Sequence, residues 1–225
     1  MPHIICTVDV VLMTLKNGML HVAQLKRDHA PFEGVLALPG GYVRAEEDAD
    51  ARDAAERMLR EKTGISSPYL EQLATFSGRA RDPRGWSLSV AYYALVPNDV
   101  IAAASHPEVT LAAVDRIRGL PFDHQQIIET AVQRVRDKSG YSSLPVYLCG
   151  EFFTLPQLQS VYEAILGEPI NKVSFRRKID ELDILEAVEG ALETGKAHRP
   201  AQVYRLKPRY SQHLSLTDRA LNAKT

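Results

Sequence analysis

The sequence predicts an α+β chain of two domains, in which a mixed sheet packed between helices is followed by a smaller unit of two helices and a hairpin. Three observations predict this architecture. The chain has 225 residues, a length that suits one large domain or two small ones. Strand and helix patterns alternate as far as residue 137. The order of elements then changes after a stretch at 138–150 that contains Ser, Gly and Pro.

The first part of the chain supplies the elements of the predicted sheet. Residues 4–14 are rich in β-branched side chains, and Asn17-Gly18 is a dipeptide that hairpin turns favour, so 19–25 should return as a strand. Residues 27–41 are predicted as a loop. The segment rich in Ala, Glu and Arg at 48–63 is predicted as a helix that Gly64 ends. The remaining predicted elements are strands at 69–77 and 87–96 and helices at 111–118 and 123–137.

A second unit is predicted beyond the stretch at 138–150. Thr154 suits the cap position of a helix, and Pro156 is tolerated in its first turn. The expected elements are helices at 155–166 and 171–181 and strands at 184–192 and 202–206, with a basic loop between the strands. We therefore predict a first domain at 1–140, a linker at 141–150 and a second domain at 151–225.

The composition excludes several classes of protein. Lys and Arg number 27 and Asp and Glu 28, so the net charge of −1 excludes a chain that is basic throughout, although one domain can still be basic. No apolar run approaches the length of a membrane span, and the N-terminal residues are typical of a strand and not of a signal peptide. We expect a cytoplasmic protein without membrane contact. Cys6 and Cys149 are predicted as free, buried thiols, and no Cys/His spacing suits zinc.

A glycine-led loop, a helix and a terminal glycine are predicted at residues 39–64. The segment holds Gly40-Gly41 at its start and Gly64 at its end, and it resembles the Nudix box. In that motif three carboxylates on one helix face hold divalent cations against a diphosphate. Counted back from Gly64, the three places hold Met58, Glu61 and Lys62. Counted forward from Gly41, they hold Glu56, Leu59 and Arg60.

Only one carboxylate remains in either count. The counts differ because the segment 41–64 is longer than the motif. Glu56 and Glu61 lie roughly 140° apart around a helix, so they cannot share a cation. We therefore expect a Nudix-like α/β/α sandwich with no catalytic and no metal-binding residues. An unrelated α/β domain with a chance glycine-rich loop is the alternative.

Segments around the box predict a nucleotide site. Residues 31–41, residues 81–90 and Phe122-Asp123-His124 resemble parts of ADP-ribose-type Nudix proteins. Arginines can meet a diphosphate as bidentate donors, and aromatic rings, Phe122 among them, can stack on an adenine. The predicted effector-binding residues are Phe32, Arg44, Arg79, Arg81, Arg84, Trp86 and His124. For any one arginine the alternative is a solvated loop charge, and for Trp86 it is a core or strand-edge aromatic.

The predicted helix at 171–181 has an apolar face and a basic face. Phe175, Ile179 and Leu182 recur at helical spacing on the first, and the second is typical of a recognition helix in a helix-turn-helix. Val173 also points outward and suits contact with a thymine methyl group. The predicted DNA-binding residues are Lys172, Ser174, Arg176, Arg177, Lys178, Lys196, His198 and Arg199.

The hairpin after this helix continues the positive charge. No acidic residue lies between Lys196 and Arg209, so two basic elements could neutralise adjacent stretches of a phosphate backbone. The alternative is a solvated charged hairpin in a dimerisation module.

Taken together, these segments are similar to the Nudix-related transcriptional regulators of bacterial NAD metabolism, and the similarity spans nearly the whole chain. Its most specific local motifs lie at 153–159, 174–178 and 199–204. The resemblance implies a Nudix-like domain that senses ADP-ribose or a related nucleotide, with no cofactor. It also implies a C-terminal winged helix that binds double-stranded operator DNA as a homodimer. The expected function is regulation, as a repressor, of NAD biosynthesis or salvage genes.

Two other functions stay open at this stage. The ambiguity between Glu56 and Glu61 motivates a magnesium-dependent ADP-ribose pyrophosphatase whose second domain only dimerises it. Magnesium-dependent release of AMP from ADP-ribose would favour that enzyme. A repressor that responds to a sugar or phosphosugar is the other possibility, because one scaffold can host different pockets.

Overall fold

Strand β1 (Ile5–Lys16) lies inside a seven-stranded mixed sheet. The computed structural model describes residues 4–67, 69–193, 200–210 and 214–216. β1 pairs antiparallel with β2 (Met19–Lys26) and parallel with β6 (Ser87–Leu95), and β5 (Tyr69–Gly78) pairs with the far side of β6. The Asn17-Gly18 turn between β1 and β2 is confirmed, since both residues have the positive φ that it requires, 53° and 71°. The short strands of the sheet are β3 (Leu36–Ala37), β4 (Gly40–Tyr42) and β7 (Val109–Ala113).

Helices cover both faces of this sheet. Alternate residues of β1 point to opposite faces. Val8 and Val10 join a core cluster with helix α1 (Ala51–Thr63). Val11 and Met13 join a second cluster with helix α3 (His124–Ser139). The α/β/α sandwich is therefore confirmed, and the two helices hold the opposite sides of one sheet.

The predicted helix at 111–118 is wrong. Residues 109–113 form β7, which pairs with β2 from Leu25↔Val109 to His21↔Ala113, and a single 3-10 turn follows at Val114–Arg116. The hydrogen bonds available along β2 outweigh the local helix preference of this Ala-containing segment. The predicted loop at 27–41 contains β3 and the start of β4, and a short helix α2 (Asn98–Ala104) was not predicted.

The C-terminal elements form the predicted winged helix. Helices α4 (Leu155–Leu166) and α5 (Lys172–Leu182) pack beside a sheet in the order β8-β10-β9. Thr154 caps α4 as predicted, and Gln157 completes a capping box. The strands of this sheet are β8 (Phe153–Thr154), β9 (Leu185–Glu193) and β10 (Ala201–Leu206).

Residues 144–148, inside the predicted linker, form a buried 3-10 helix. The ring of Tyr147 stacks on Tyr69 of β5 with centroids 4.8 Å apart. The Tyr162 hydroxyl of α4 donates to the Ser142 carbonyl over 2.8 Å. One apolar cluster accordingly runs from the large sheet through this segment to the winged helix. The boundaries 1–140, 141–150 and 151–225 stay a prediction.

Both cysteines are free thiols, with Cys6 half-buried and Cys149 buried. Burial raises the pKa of Cys149 to about 12, so this thiol stays protonated. Within the described residues, no helix combines the length and the apolar character that a bilayer crossing needs.

We expect Tyr162→Phe to lower the free energy of unfolding by about 1 kcal/mol, because the variant loses a buried hydrogen bond to the segment between the domains. Urea denaturation measures this. Tyr92→Phe is the matched control, since the Tyr92 side chain is also buried but makes no hydrogen bond to any residue in the described ranges. Equal losses in the two variants would contradict the importance of the Tyr162 contact.

Candidate functional site

A cavity of 420 Å³ opens between α1 and one end of the large sheet. The strands β1 and β4 form its floor, and Asp9 and Gly40 face each other there as a register pair. A Cβ at Gly40 would lie 2.3 Å from Asp9 Oδ1 and 2.7 Å from the Val8 carbonyl oxygen, so only glycine fits. The loop at 81–84 and residues 122–124 complete the walls.

The structure resolves which face of α1 meets this cavity. Met58, Glu61 and Lys62 line it, whereas Glu56 lies on a different groove and pairs with Arg52 at 2.9 Å. The count back from Gly64 is therefore the structural one. Gly64 ends the helix in the left-handed conformation, with a φ of 70°.

A buried ion pair holds α1 in this orientation. Arg57 donates to both carboxylate oxygens of Asp48, over 2.6 and 2.7 Å, and also to the Tyr42 carbonyl over 3.1 Å. The backbone N–H of Arg44 donates to Asp48 over 2.7 Å. These donors hold the pKa of Asp48 at about 2.

The side chains on this face do not fit the divalent cation that the Nudix motif implies. Thioether, carboxylate and ammonium stand where three carboxylates would be needed, and the Glu61 carboxylate is 3.4 Å from Arg57 and 3.7 Å from Arg44. No group of three or more His, Cys, Asp or Glu side chains is placed to hold a metal within 4–67, 69–193, 200–210 and 214–216.

Asp9 and His124 anchor the deep end of the cavity. The Leu38 N–H donates to His124 Nδ1 over 3.1 Å, which assigns the ring proton to Nε2, 3.4 Å from Asp9 Oδ1. Ser89 donates to Asp9 over 2.6 Å. Burial alone would raise the pKa of Asp9, but His124, Ser89 and Arg81 outweigh it and lower that pKa.

The predicted effector arginines differ in their surroundings. Arg44, Arg81 and Arg84 line the cavity, whereas exposed Arg79 does not. Arg81 is buried and donates to both oxygens of Asp123 over 2.9 Å, so it links the loop at 81–84 to the start of α3. Arg84 is bound in the same bidentate manner by Asp82, with distances of 3.0 and 2.7 Å.

Aromatic side chains gather at one wall. The Phe122 ring lines the cavity, with Phe32 packed edge-to-face on it at 5.0 Å and the Arg27 guanidinium 5.0 Å from its centroid. Predicted residue Trp86 is exposed and lies outside the cavity lining. Of the three aromatic residues, only Phe122 lines the cavity; Phe32 lies behind it, outside the lining, as Trp86 does.

Several lining residues were not predicted as ligands. Asp9 and Tyr42 reach the cavity because β1 pairs with β4, and Arg27 directly follows β2. Lys62 carried a signal in the sequence, since it occupies a metal-ligand place of the box, where its cation already supplies a counter-charge to the remaining carboxylate.

The second candidate site is the exposed face of α5. Phe175, Ile179 and Leu182 are buried, as predicted, and Asn171 caps the helix by accepting from the Val173 and Ser174 N–H groups. The helix places Lys172, Arg176 and Arg177 on its exposed side, together with Val173, which is 75% exposed.

Two predicted contact residues of α5 are less available than expected. Ser174 is half-buried, and the Lys178 side chain is only 11% exposed and lies 3.6 Å from Glu181. Lys172 and Arg176 border an open groove between α5, the start of α4 and the base of β10. The predicted contacts Lys196, His198 and Arg199 lie outside the described residues.

The positive charge of the hairpin is partly compensated. Arg205 pairs with Glu186, and Lys207 and Arg209 both pair with Asp183 at the end of α5. Asp183 and Glu186, which follow α5 in sequence, thus neutralise part of the charge of the hairpin. Exposed, unshared positive charge is consequently concentrated on α5 among the described residues of this domain.

Comparison with known proteins supports both halves of this description. A model of the NUDIX domain matches residues 6–136, and a model of the NrtR DNA-binding winged helix domain matches 145–206. The ADPR responsive transcriptional repressor NtrR of Acinetobacter baylyi is 40% identical over 209 residues, which are 91% of this chain and 82% of that protein. This chain belongs to the NrtR family.

Solved NrtR structures share the arrangement of elements. Shewanella oneidensis NrtR, crystallised with a 27mer DNA, has a TM-score of 0.88 and 38% identity over 96% of this chain and 98% of that one. The NUDIX domain of the same protein, crystallised with ADP ribose, has a TM-score of 0.55 and 37% identity over 60% of this chain and 90% of that one. The predicted fold and the predicted family are confirmed.

We expect Asp48→Asn to lower the melting temperature at pH 7, because it breaks the ion pair that orients α1. The lowered pKa of Asp48 means that the stabilisation is complete above pH 3.8 and is lost as the pH falls towards about 2. The difference in melting temperature between wild type and variant should shrink over that interval.

Asp115→Asn is the control for this measurement. Asp115 is exposed and forms no ion pair with any other described residue, so its loss should change the melting temperature little. A pH-independent difference between wild type and Asp48→Asn would contradict the assignment.

Proposed function

We propose that this chain is an ADP-ribose-responsive transcriptional repressor that binds double-stranded operator DNA as a homodimer. The observation that carries the proposal is the pairing, in one chain of the NrtR family, of a cavity lined by cations with a helix whose exposed face is basic. The relatives described as an ADPR responsive repressor and as NrtR complexed with DNA support both parts.

The cavity suits a nucleoside diphosphate linked to a sugar. Its cations provide donors for phosphate oxygens, and the Phe122 ring, supported by Phe32, provides an apolar surface for a base. We infer that it binds such a ligand without hydrolysing it, because Met58 and Lys62 stand in two places that need carboxylates. Genes of NAD biosynthesis or salvage are the targets we propose, on the basis of the family resemblance.

Helix α3 connects the cavity to the winged helix. Its first residues, with Asp123 before them, contact Arg81 and the cavity, and its last turn lies about 24 Å away. There Lys138 pairs with Glu71 at 2.6 Å, and the Ser142 hydroxyl donates to the Lys138 carbonyl. Because Ser142 also accepts from Tyr162 of α4, a ligand that shifts α3 can move the DNA-binding domain.

In the proposed mechanism the ligand changes the spacing of two recognition helices in the dimer. Half-sites of a near-palindromic operator lie about one helical turn apart, roughly 34–36 Å. A ligand that favours a different separation lowers operator affinity by population shift. A coupling free energy of about 1–3 kcal/mol is sufficient for this response.

We expect saturating ADP-ribose to weaken operator binding by about 5- to 150-fold. Fluorescence anisotropy with the full chain and the promoter regions next to its gene measures this, and ribose 5-phosphate serves as the ligand control. Equal operator affinity with and without ADP-ribose would contradict the regulatory role. Magnesium-dependent release of AMP at an ordinary turnover would favour the pyrophosphatase instead.

We expect Arg177→Ala to cost about 1–3 kcal/mol of operator binding and to relax specificity at one base pair. The Arg177 side chain is 72% exposed on α5, and its contact with Glu181 is long at 3.8 Å, so it is free to reach a guanine edge. Binding to a panel of single-base operator variants measures the change.

Arg116→Ala is the control for this substitution, because it removes an exposed arginine from the other domain. A loss that is the same for every operator variant would assign Arg177 to a phosphate contact. No loss at all would remove it from the interface.

A further inference from the structure

Lys62 differs from the arginines of the cavity in its contacts. Its ammonium forms no hydrogen bond and no ion pair with any described residue, although the side chain is half-buried at the cavity wall. Its charge helps to lower the pKa of the exposed Asp28 carboxyl, but no direct contact joins the two side chains. The arginines of the cavity are all engaged: Arg81 by Asp123, Arg84 by Asp82, Arg44 by Glu47, and Arg27 by the Pro31 and His29 carbonyls.

This difference distinguishes Lys62 from Arg44, Arg81 and Arg84 as a partner for an incoming diphosphate. An arginine paired with a carboxylate shares its charge and must give up that contact to bind a ligand fully. Arg27 donates to neutral carbonyls, and its guanidinium lies over the Phe122 ring. The ammonium of Lys62 makes no hydrogen bond to a described residue and has a flexible stem, so it can contact phosphate oxygens without breaking a pair.

The position of Lys62 on α1 also bears on whether a metal can bind there. It stands in the third carboxylate place of the box, and Met58 stands in the first. The remaining carboxylate, Glu61, lies between Arg57 and Arg44. A divalent cation on this helix face would meet one shared carboxylate and a like charge, and the cavity carboxylates of Asp9 and Asp82 are already paired with His124, Arg81 and Arg84. The positive charge opposite a diphosphate must therefore come from the protein.

We propose that Lys62 replaces the divalent cation and binds the diphosphate of the ligand directly, so that ADP-ribose binds without metal. The inference rests on the proposed function, because it takes a nucleoside diphosphate as the ligand. It assigns the role of the metal in charge neutralisation to a side chain that does not activate water, which suits a sensor that releases its ligand intact.

Isothermal titration calorimetry of the full chain with ADP-ribose, in EDTA and in MgCl₂, tests this proposal. Wild type should bind with the same affinity in both buffers, within about twofold. Lys62→Met keeps most of the stem and removes the charge, so it should weaken binding by about 10- to 100-fold in both buffers, the effect of one charge-assisted contact.

Arg60→Met is the matched control, since Arg60 is exposed on the same helix but lines the groove on its other side. This variant should change affinity by less than about twofold. Thermal melting checks that both variants fold. Lys62→Glu should bind more weakly than Lys62→Met in EDTA, and MgCl₂ should restore part of its affinity.

Two results would overturn the role of Lys62: wild-type binding that EDTA abolishes, or unchanged affinity in Lys62→Met. The proposed function fails separately. If ADP-ribose binds without metal and through Lys62 but leaves operator affinity unchanged, the role of Lys62 is supported and the repressor function is contradicted. If ADP-ribose binds only with metal and still weakens operator binding, the repressor function is supported and the role of Lys62 is contradicted.

Discussion

The buried pair of Arg57 and Asp48 sets the orientation on which the cavity depends. Helix α1 buries Ala54, Ala55, Met58 and Leu59 on one face against the sheet, and the ion pair fixes the polar edge beside that face. The guanidinium of Arg57 binds both oxygens of Asp48 and the Tyr42 carbonyl, which ties the helix to the turn before it and to β4 at once. Only with this rotation do Met58, Glu61 and Lys62 face the glycine floor.

The same rotation sets which side chains of the Nudix scaffold face the cavity. The backbone of the site is kept, because glycine at position 40 gives Asp9 its place and Gly64 ends the helix at the right residue. What differs is the chemistry of three side chains on one helix face. Exchange of carboxylates for Met and Lys removes the means of gathering a cation but keeps a positively charged surface for phosphate.

The two domains share a core, and this changes what the segment between them can do. A solvated linker would let the winged helix move independently of the cavity. Instead, residues 144–148 are buried, Tyr147 stacks on Tyr69, and Tyr162 holds Ser142. Motion at the cavity end of α3 therefore meets a packed contact, and packed contacts pass on a displacement in discrete steps.

Elements whose signals are local could be predicted from the sequence. The Asn17-Gly18 turn, the Thr154 cap and the apolar face of α5 follow from turn chemistry and helical spacing, which neighbouring residues decide. The sequence also shows that either count leaves one carboxylate in the three metal-ligand places.

Strand pairing, helix orientation and ion pairs depend on residues distant in the chain, so only the three-dimensional structure shows them. The segment at 109–113 became a strand because β2 offered it hydrogen bonds. The rotation of α1 shows that Glu61, and not Glu56, faces the cavity. The ion pairs of Arg81 with Asp123 and of Lys207 with Asp183 cannot be predicted from the number of charged residues. Whether a cation is free or already bound is a property of three-dimensional contact, and that property separates Lys62 from the arginines around it.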